Sequence, residues 1–435
     1  MDRDTLRSQI VHLNADYTHT VRDPLWRDIP LSPGFKALFS STAMQKLSRI
    51  KQLGPAHLVY PGAVHTRLDH SIGVFHATRL ILMSLLTRTQ DFDSTVRISN
   101  EGMQAVLAAA MLHDVGHFPY AHALKDSVSA EHEHLGAQSI EADQELRNII
   151  EQELHTTVEA VCSIIDTSRP NDSDEINFLR SILSGTLDPD KLDYLSRDAL
   201  FCGIPYGMQD ASYIIRNLTI SEQEKRIAIP EEAIGAVEHL LFAKYAMYRN
   251  VYWHQGTRSA TAMIKKAVRL ALEERLFSER DLYDRDDESL ALLFERNPSS
   301  ASARLFHAVR NNRLLVPRLT LPFESTAEHR RLYEDADYRR TCETEIVGRL
   351  RRLHPNLEQH ELIIDIPEHV SFESDIPIIC ESGKTIPFSE ADELFTPDIV
   401  RTFTASLRKI RVYTLSSIDE KRVEKAAGGV IPHHD

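Results

Sequence analysis

Cysteine is scarce and unpatterned. Cys162, Cys202, Cys342 and Cys380 are scattered over 435 residues with no CxxC pair, which argues against a disulfide framework or a thiolate zinc site and reads as a reduced, cytoplasmic chain. The opening Met1-Asp2-Arg3-Asp4 lacks the apolar core of a signal peptide. The most apolar run, Leu80 to Leu86, is far too short to cross a bilayer, so no membrane partner is expected. Positive charge is also short: 50 lysines and arginines against 64 acidic residues leave a formal charge of -14. That excludes general adhesion to nucleic acid or anionic lipid, and requires any phosphate-binding cations to be concentrated in one pocket. Nucleic acid as a partner is compatible with such a pocket but is not indicated. There is no internal repeat and no low-complexity tract, only a polar stretch from about Ser416 that reads as a mobile tail.

What is present is enough apolar material, 42% of residues, for a large core with a smaller lobe beside it. Pro24, Pro30 and Pro33 break the lead-in into short pieces before a helical pattern over Ala43 to Gln52. An extended segment, His57 to Tyr60, then turns at Pro61-Gly62. Apolar residues recur at helical spacing through Leu68–Leu86 and Met103–Leu112. Further helices are expected at Glu131–Glu151, Thr157–Asp166, Asp174–Leu183 (stopped by Gly185), Glu231–Trp253 and Thr257–Glu274. Past about Ser300 the segments Leu362–Ile366, Ile376–Ile379 and Lys409–Tyr413 are rich in β-branched residues and read as strands. The expected fold is mostly α: a helical catalytic domain over 1–295 and a smaller C-terminal α+β lobe with a polar tail over 296–435.

His113 and Asp114 stand side by side at the end of an apolar helix, with His70 upstream and Asp190 downstream. Imidazole and carboxylate together suit a divalent first-row ion such as Mn, Fe or Zn and leave positions free for water. Adjacent helical residues diverge by roughly 100°, so an ion shared by His113 and Asp114 needs ligands from other segments, which His70 and Asp190 supply. His117, one turn beyond His113, looks into the same cleft. A lone helical histidine is usually structural or solvated, and among 21 histidines clustering is cheap. His354, His360, His369, His433 and His434 are read as solvated. Ordered local patterns lift the cluster above that background: Arg67-Leu68-Asp69-His70-Ser71-Ile72-Gly73-Val74, Leu112-His113-Asp114-Val115-Gly116-His117, His132-Glu133, and Asp188 to Asp198.

These segments resemble the HD-domain phosphohydrolases, and among them the deoxynucleoside triphosphate triphosphohydrolases of the SAM-and-HD-domain type, here expected without the SAM domain. Asp23 to Ile29, Ile50 to Gly54, Tyr60 to Ala63, Ala243 to Tyr248 and Val251 to His254 look like further parts of that family, and the likeness runs loosely to Tyr413. The resemblance implies that His70, His113, Asp114 and Asp190 hold one divalent transition metal, with Mg possible on the substrate phosphates. It implies attack of metal-bound hydroxide on the α-phosphate of a dNTP, releasing deoxynucleoside and triphosphate. By the same likeness His117 and His132 contact the phosphates, and His122 protonates the departing 5'-oxygen, supported by a nearby carboxylate. Arg67, Lys191 and Lys244 clamp the triphosphate, and Tyr194 leans on it. Gln52 and Asp198 read the sugar 3'-hydroxyl beside Leu53, and Tyr252 packs under the deoxyribose. Homo-oligomers, dimers or tetramers, are implied.

Two departures stand out. Ser40 and Ser48 occupy places where nucleotide-activated members carry an acid and an arginine; Gln45 remains, and activation by GTP through that site is not expected. Lys125 stands where the family places the carboxylate behind His122, so Asp126 is assigned that support. His134 competes with His132, which has the better His-Glu context. Two alternatives remain open: an HD phosphohydrolase acting on a nucleoside monophosphate or a guanine alarmone, and a nucleic-acid-binding regulatory module with a vestigial site.

Overall fold

The computed structural model of the protein describes residues 9, 13, 17–88, 98–125, 128, 131–372 and 374–432. The antiparallel hairpin of β1 (His19–Asp23) and β2 (Arg27–Leu31) opens it. Its turn is held by Asp23, whose Oδ1 accepts from the amides of Leu25 and Trp26 at 2.8 and 2.7 Å, and by Arg27 in the left-handed region at φ 68. This hairpin leads onto a helical core in which the helices Arg67–Arg88, Asn100–Leu112 and Pro189–Cys202 pack on one another.

The boundaries of these helices follow local rules. Ser99 caps the second through a bond from Gly102 N at 2.9 Å. Asp188 caps the third, with Pro189 in the first turn, where a missing N–H costs nothing, and Gly203 ends it at φ 69. Ten of the thirteen residues of Asn100–Leu112 are buried, so this helix is the central rod. Gly73 allows the Arg67–Arg88 helix to lie against Pro189–Cys202: a Cβ there would sit 1.9 Å from Asp193 Oδ1 and 2.5 Å from Arg197 Nη2.

Three apolar clusters organise the interior. The first unites the hairpin and central helices with Val370, Phe372, Ile376, Ile378, Phe388, Phe395, Val400 and Leu407. The second gathers the helix Gln255–Glu273 with residues between Phe277 and Leu315. The third lies under β5 (Val316–Pro322), β6 (Ile363–Asp365) and β9 (Lys409–Thr414), whose order is β5-β9-β6. A second sheet, of β3 (Thr219–Ser221), β4 (Arg226–Pro230), β7 (Pro377–Ile379) and β8 (Thr385–Pro387) in that order, pairs β4 in parallel with β7. The segment that the sequence groups with the C-terminal lobe is therefore built into the helical core.

The mostly helical architecture with small C-terminal sheets matches the expected class. Four local expectations are corrected. His57 belongs to the 3-10 helix Gly54–Leu58, because Pro55 in the first turn fixes φ and His57 Nδ1 bonds to the Gly54 carbonyl at 3.1 Å. The expected helix Glu131–Glu151 is interrupted at Asp143, whose side chain caps a new turn at Glu145 and Leu146. The stretch after Ser416 is no loose tail: Asp419 caps the helix Glu420–Ala427, which buries Val423, Ala426 and Ala427, and Val430 and Ile431 continue the same apolar stripe. His360, read as solvated, is buried, while His433 and His434 lie outside the described residues. All four cysteines are free thiols, and among the described residues no helix is long and apolar enough to cross a membrane.

A buried ion pair ties the helical core to the C-terminal sheets. Lys266 Nζ meets Glu343 Oε2 at 2.9 Å and the Leu362 carbonyl at 2.7 Å, and Glu343 Oε1 accepts from Ile364 N at 2.9 Å. Lys266→Ala strands the carboxylate, and urea unfolding is expected to lose about 3–5 kcal/mol; Lys266→Met combined with Glu343→Leu removes both charges and is expected to lose far less.

Candidate metal centre and active site

The Asn100–Leu112 helix stops just before the paired residues, so His113 and Asp114 project from its end and from the turn that follows rather than from one helical face. His113 Nδ1 faces the Ala110 carbonyl at 2.9 Å, which assigns the proton to Nδ1 and leaves Nε2 as a lone pair, buried and without a partner. His70 Nδ1 likewise faces Asp193 Oδ2 at 2.8 Å, turning its Nε2 toward Asp190 Oδ1 at 2.9 Å. Asp114 Oδ1 lies 3.4 Å from His113 Nε2, and Asp190 Oδ1 lies 3.9 Å from the same nitrogen. Neighbouring ligands of one first-row ion at about 2.0–2.2 Å sit about 3–4 Å apart. The donor atoms of His70, His113 and Asp114 all fall within 4.8 Å of one another, and Asp190 Oδ1 lies beside the two histidine nitrogens of that group.

Electrostatics agree with that fit. Burial disfavours a charged His70, yet Asp190 and Asp193 outweigh it and raise its pKa to about 10, so the spot between these groups attracts positive charge. Burial would raise Asp114, but His117 and Arg67 hold it well below the usual carboxylate range. Burial also opposes ionisation of Asp193, which Arg197 and His70 keep far below its ordinary value. Arg197, fully buried, donates twice to Asp193 at 2.8 Å and once to Asp23 at 2.7 Å, and Trp26 Nε1 donates to Asp193 at 2.6 Å.

His117 is not one helical turn along from His113, since the helix has ended; the turn through Gly116 carries it there. Gly116 is required because a Cβ would stand 2.0 Å from the His132 carbonyl and 2.4 Å from Gly136 N. That close approach brings three rings together: His117 lies 3.9 Å from His132 and 5.0 Å from His122, centre to centre. His117 Nδ1 is 3.1 Å from Asp114 Oδ1. Burial, then the Arg67 charge, lowers the pKa of both His117 and His122. His122 is exposed to solvent, and the charges of Arg67 and His132 act in the same direction. His134 is turned away onto Asp166 at 3.1 Å, leaving His132 as the histidine at the site. Lys125 pairs with Glu131 at 3.0 Å, and Asp126 lies outside the described residues.

The expected phosphate cations already have partners. Arg67 is buried with Nη1 on Asp114 Oδ2 at 2.8 Å, so it reaches a ligand carboxylate and not open cleft. Lys191 Nζ contacts Asp188 Oδ2 at 2.5 Å and the Gly185 carbonyl at 2.7 Å. Lys244 Nζ donates to the Ser371 carbonyl at 2.7 Å and lies over the Phe372 ring. At the other end Asp198 accepts from Tyr252 OH at 2.7 Å, Tyr194 lies between Asp190 and Asp198 on the same helix, and Leu53 is half-buried with its carbonyl bonded to Ala56 N. Gln52 Oε1 is buried without a partner.

Sequence reasoning missed Asp193, Arg197, Asp23 and Trp26 as supports of His70. The spacing Asp190, Asp193, Arg197 at i, i+3 and i+7 marks one face of a helix and was the available signal. Nothing in the sequence paired Asp23 with Arg197.

Residues 67–199 match the HD domain and residues 209–432 match the HD associated region. The chain belongs to the HD-domain phosphohydrolases that carry an HD-associated region. Its relatives include the Bacillus subtilis protein YwfO, 32% identical over 255 residues that cover 59% of this chain and 54% of that protein. Another is the deoxynucleoside triphosphate triphosphohydrolase SAMHD1 of Homo sapiens, 25% identical over 288 residues, 60% of this chain and 45% of that one. The chain thus spans about half the length of the curated relatives it matches. In fold it is similar to a phosphohydrolase from Bacteroides thetaiotaomicron, with a TM-score of 0.70 at 21% identity over 91% of this chain and 99% of that one. A protein from Aquifex aeolicus gives a TM-score of 0.68 at 24% identity, over 94% and 99%.

The support of His70 by Asp193 can be measured. Asp193→Asn is expected to weaken metal affinity about 10–100-fold in a chelator competition and, by leaving buried Arg197 short of a counter-charge, to lower stability as well, whereas His113→Ala is expected to abolish stoichiometric metal in elemental analysis.

Proposed function

We propose that the protein hydrolyses dNTPs to deoxynucleoside and triphosphate. One observation carries this reading: a single helix, Pro189–Cys202, presents Asp190 to the metal centre, Tyr194 in the middle and Asp198 to the closed polar corner with Tyr252, with Lys191 and Lys244 beside the metal end. Cations at one end of this row and a carboxylate with a tyrosine hydroxyl at the other fit a nucleoside polyphosphate, and the likeness to SAMHD1, named as a deoxynucleoside triphosphate triphosphohydrolase, supports it.

A divalent cation held by His70, His113, Asp114 and Asp190 supplies, when bound, the Lewis acidity that makes water nucleophilic near neutral pH. Arg67 fixes Asp114 and adds positive charge at the reacting phosphoryl group. His122, exposed to solvent, donates a proton to the leaving 5'-oxygen; burial and then the Arg67 charge keep it neutral at rest, and the incoming phosphates offset that charge. His117 and His132 flank it and orient the phosphates. Lys191 and Lys244 exchange backbone carbonyls for phosphate oxygens. Tyr252, half-buried and fixed on Asp198, gives the sugar a rigid floor.

The second reading, hydrolysis of a nucleoside monophosphate or another phosphate ester, draws support from Lys125, which turns to Glu131 instead of supplying a carboxylate behind His122. Incubating metal-replete protein with each dNTP, NTP and NMP separates the two: tripolyphosphate and deoxynucleoside are expected from dNTPs alone, and His113→Ala is expected to release neither. Orthophosphate or pyrophosphate as the first product favours the second reading, and equal turnover of ribonucleotides overturns the role given to Tyr252.

Burial, and then the charge of Lys191, lower the Lys244 pKa to about 8. Lys244 is therefore charged below that pH and neutral above it, so kcat/KM is expected to fall as pH rises through about 8 in the free enzyme; in Lys244→Arg that limb is expected to disappear from the pH profile.

A further inference from the structure

The polar corner beyond the metal centre holds a histidine to which neither the metal nor the phosphates give a role. The His65 side chain is wholly buried, with Nε2 at 2.8 Å from Asp198 Oδ1. Its Nδ1 is buried without a partner, which assigns the proton to Nε2, and the ring stacks on Phe201 at 4.6 Å between centres. Asp198 thus receives one donor on each oxygen, His65 on Oδ1 and Tyr252 OH on Oδ2.

Two donors on different oxygens fix the plane of a carboxylate that otherwise rotates about one bond, and each oxygen keeps a lone pair for a third donor. Gln52 Oε1 is a further buried acceptor without a partner in the neighbouring segment. That segment is stitched to His65 through the bond from Gln52 N to the His65 carbonyl at 3.0 Å and the bridge between Lys51 and Thr66. The corner thus holds buried acceptors without partners, Gln52 Oε1 and His65 Nδ1, beside the free lone pairs of Asp198, which is the complement of a hydroxyl hydrogen.

We propose that His65 is a positioning residue that locks Asp198 as the acceptor for the sugar 3'-hydroxyl and thereby sets the preference for substrates that carry one. The proposal rests on the nucleotide reading above. His65 touches neither the phosphates nor the metal ligands, so its loss acts on selectivity and leaves the hydrolytic centre in place.

The test compares kcat/KM for a dNTP and for the matching 2',3'-dideoxynucleotide, in metal-loaded full-length protein. The wild type is expected to prefer the 3'-hydroxyl by at least about tenfold, since a site built to bond a hydroxyl rejects the analogue that lacks it. In His65→Ala and His65→Asn that ratio is expected to collapse toward one, with dideoxynucleotide turnover and bound metal unchanged. In His65→Gln, whose Nε2 takes the place of the imidazole Nε2, the ratio is expected to return to within about threefold of wild type. Equal losses on both nucleotides, or a ratio untouched in His65→Asn, overturn the proposal and leave the dNTP reading standing. A wild type that cleaves dNTPs and dideoxynucleotides equally does the same, whereas a wild type that cleaves no nucleotide overturns both.

Discussion

Asp193 is the point at which chain geometry and site chemistry meet. Its two oxygens take bonds from His70, Arg197 and Trp26, so it orients a candidate metal-binding imidazole, neutralises a buried guanidinium and anchors the β1–β2 hairpin at once. A buried carboxylate is costly unless every lone pair is used, and here the cost is met by a network that spans three elements. The arrangement also explains why Gly73 faces it: any side chain there would push the two helices apart and lengthen every one of those bonds.

The candidate metal cluster, the helices and the fold class were legible because they obey local rules. His70, His113, Asp114 and Asp190 sit in short ordered patterns, and helices such as Asp174–Leu183 carry both a cap and an apolar face. What was not legible depended on pairing across the chain. Asp23 with Arg197, and His65 with Asp198, have no spacing that sequence periodicity can report. The 3-10 turn at Gly54–Leu58 hid behind residues that also suit an extended segment. The helix Glu420–Ala427 hid behind its charge, because a strongly polar outer face masked the apolar stripe of Val423, Ala426, Ala427, Val430 and Ile431.

If its substrate is the polyphosphate proposed above, an acidic chain has to keep its cations close together and prevent them from acting as a general attractor. Here each is tied to an internal acceptor: Arg67 to Asp114, Lys191 to Asp188 and Gly185, Lys244 to Ser371. Such partners hold long side chains in one geometry and lower the ordering entropy that a ligand must meet. They also make a ligand compete with them, which favours one carrying several charges over one carrying a single charge.

The parallel pairing of β4 with β7 joins strands that are far apart in sequence and inserts the second into the first apolar cluster. A ribosome completes the HD segment long before it delivers β7, so the emerging chain waits with an unpaired strand edge and an uncovered apolar surface beside Ile229. A strand made long after β4 is thus what covers the edge and the apolar surface that β4 leaves open.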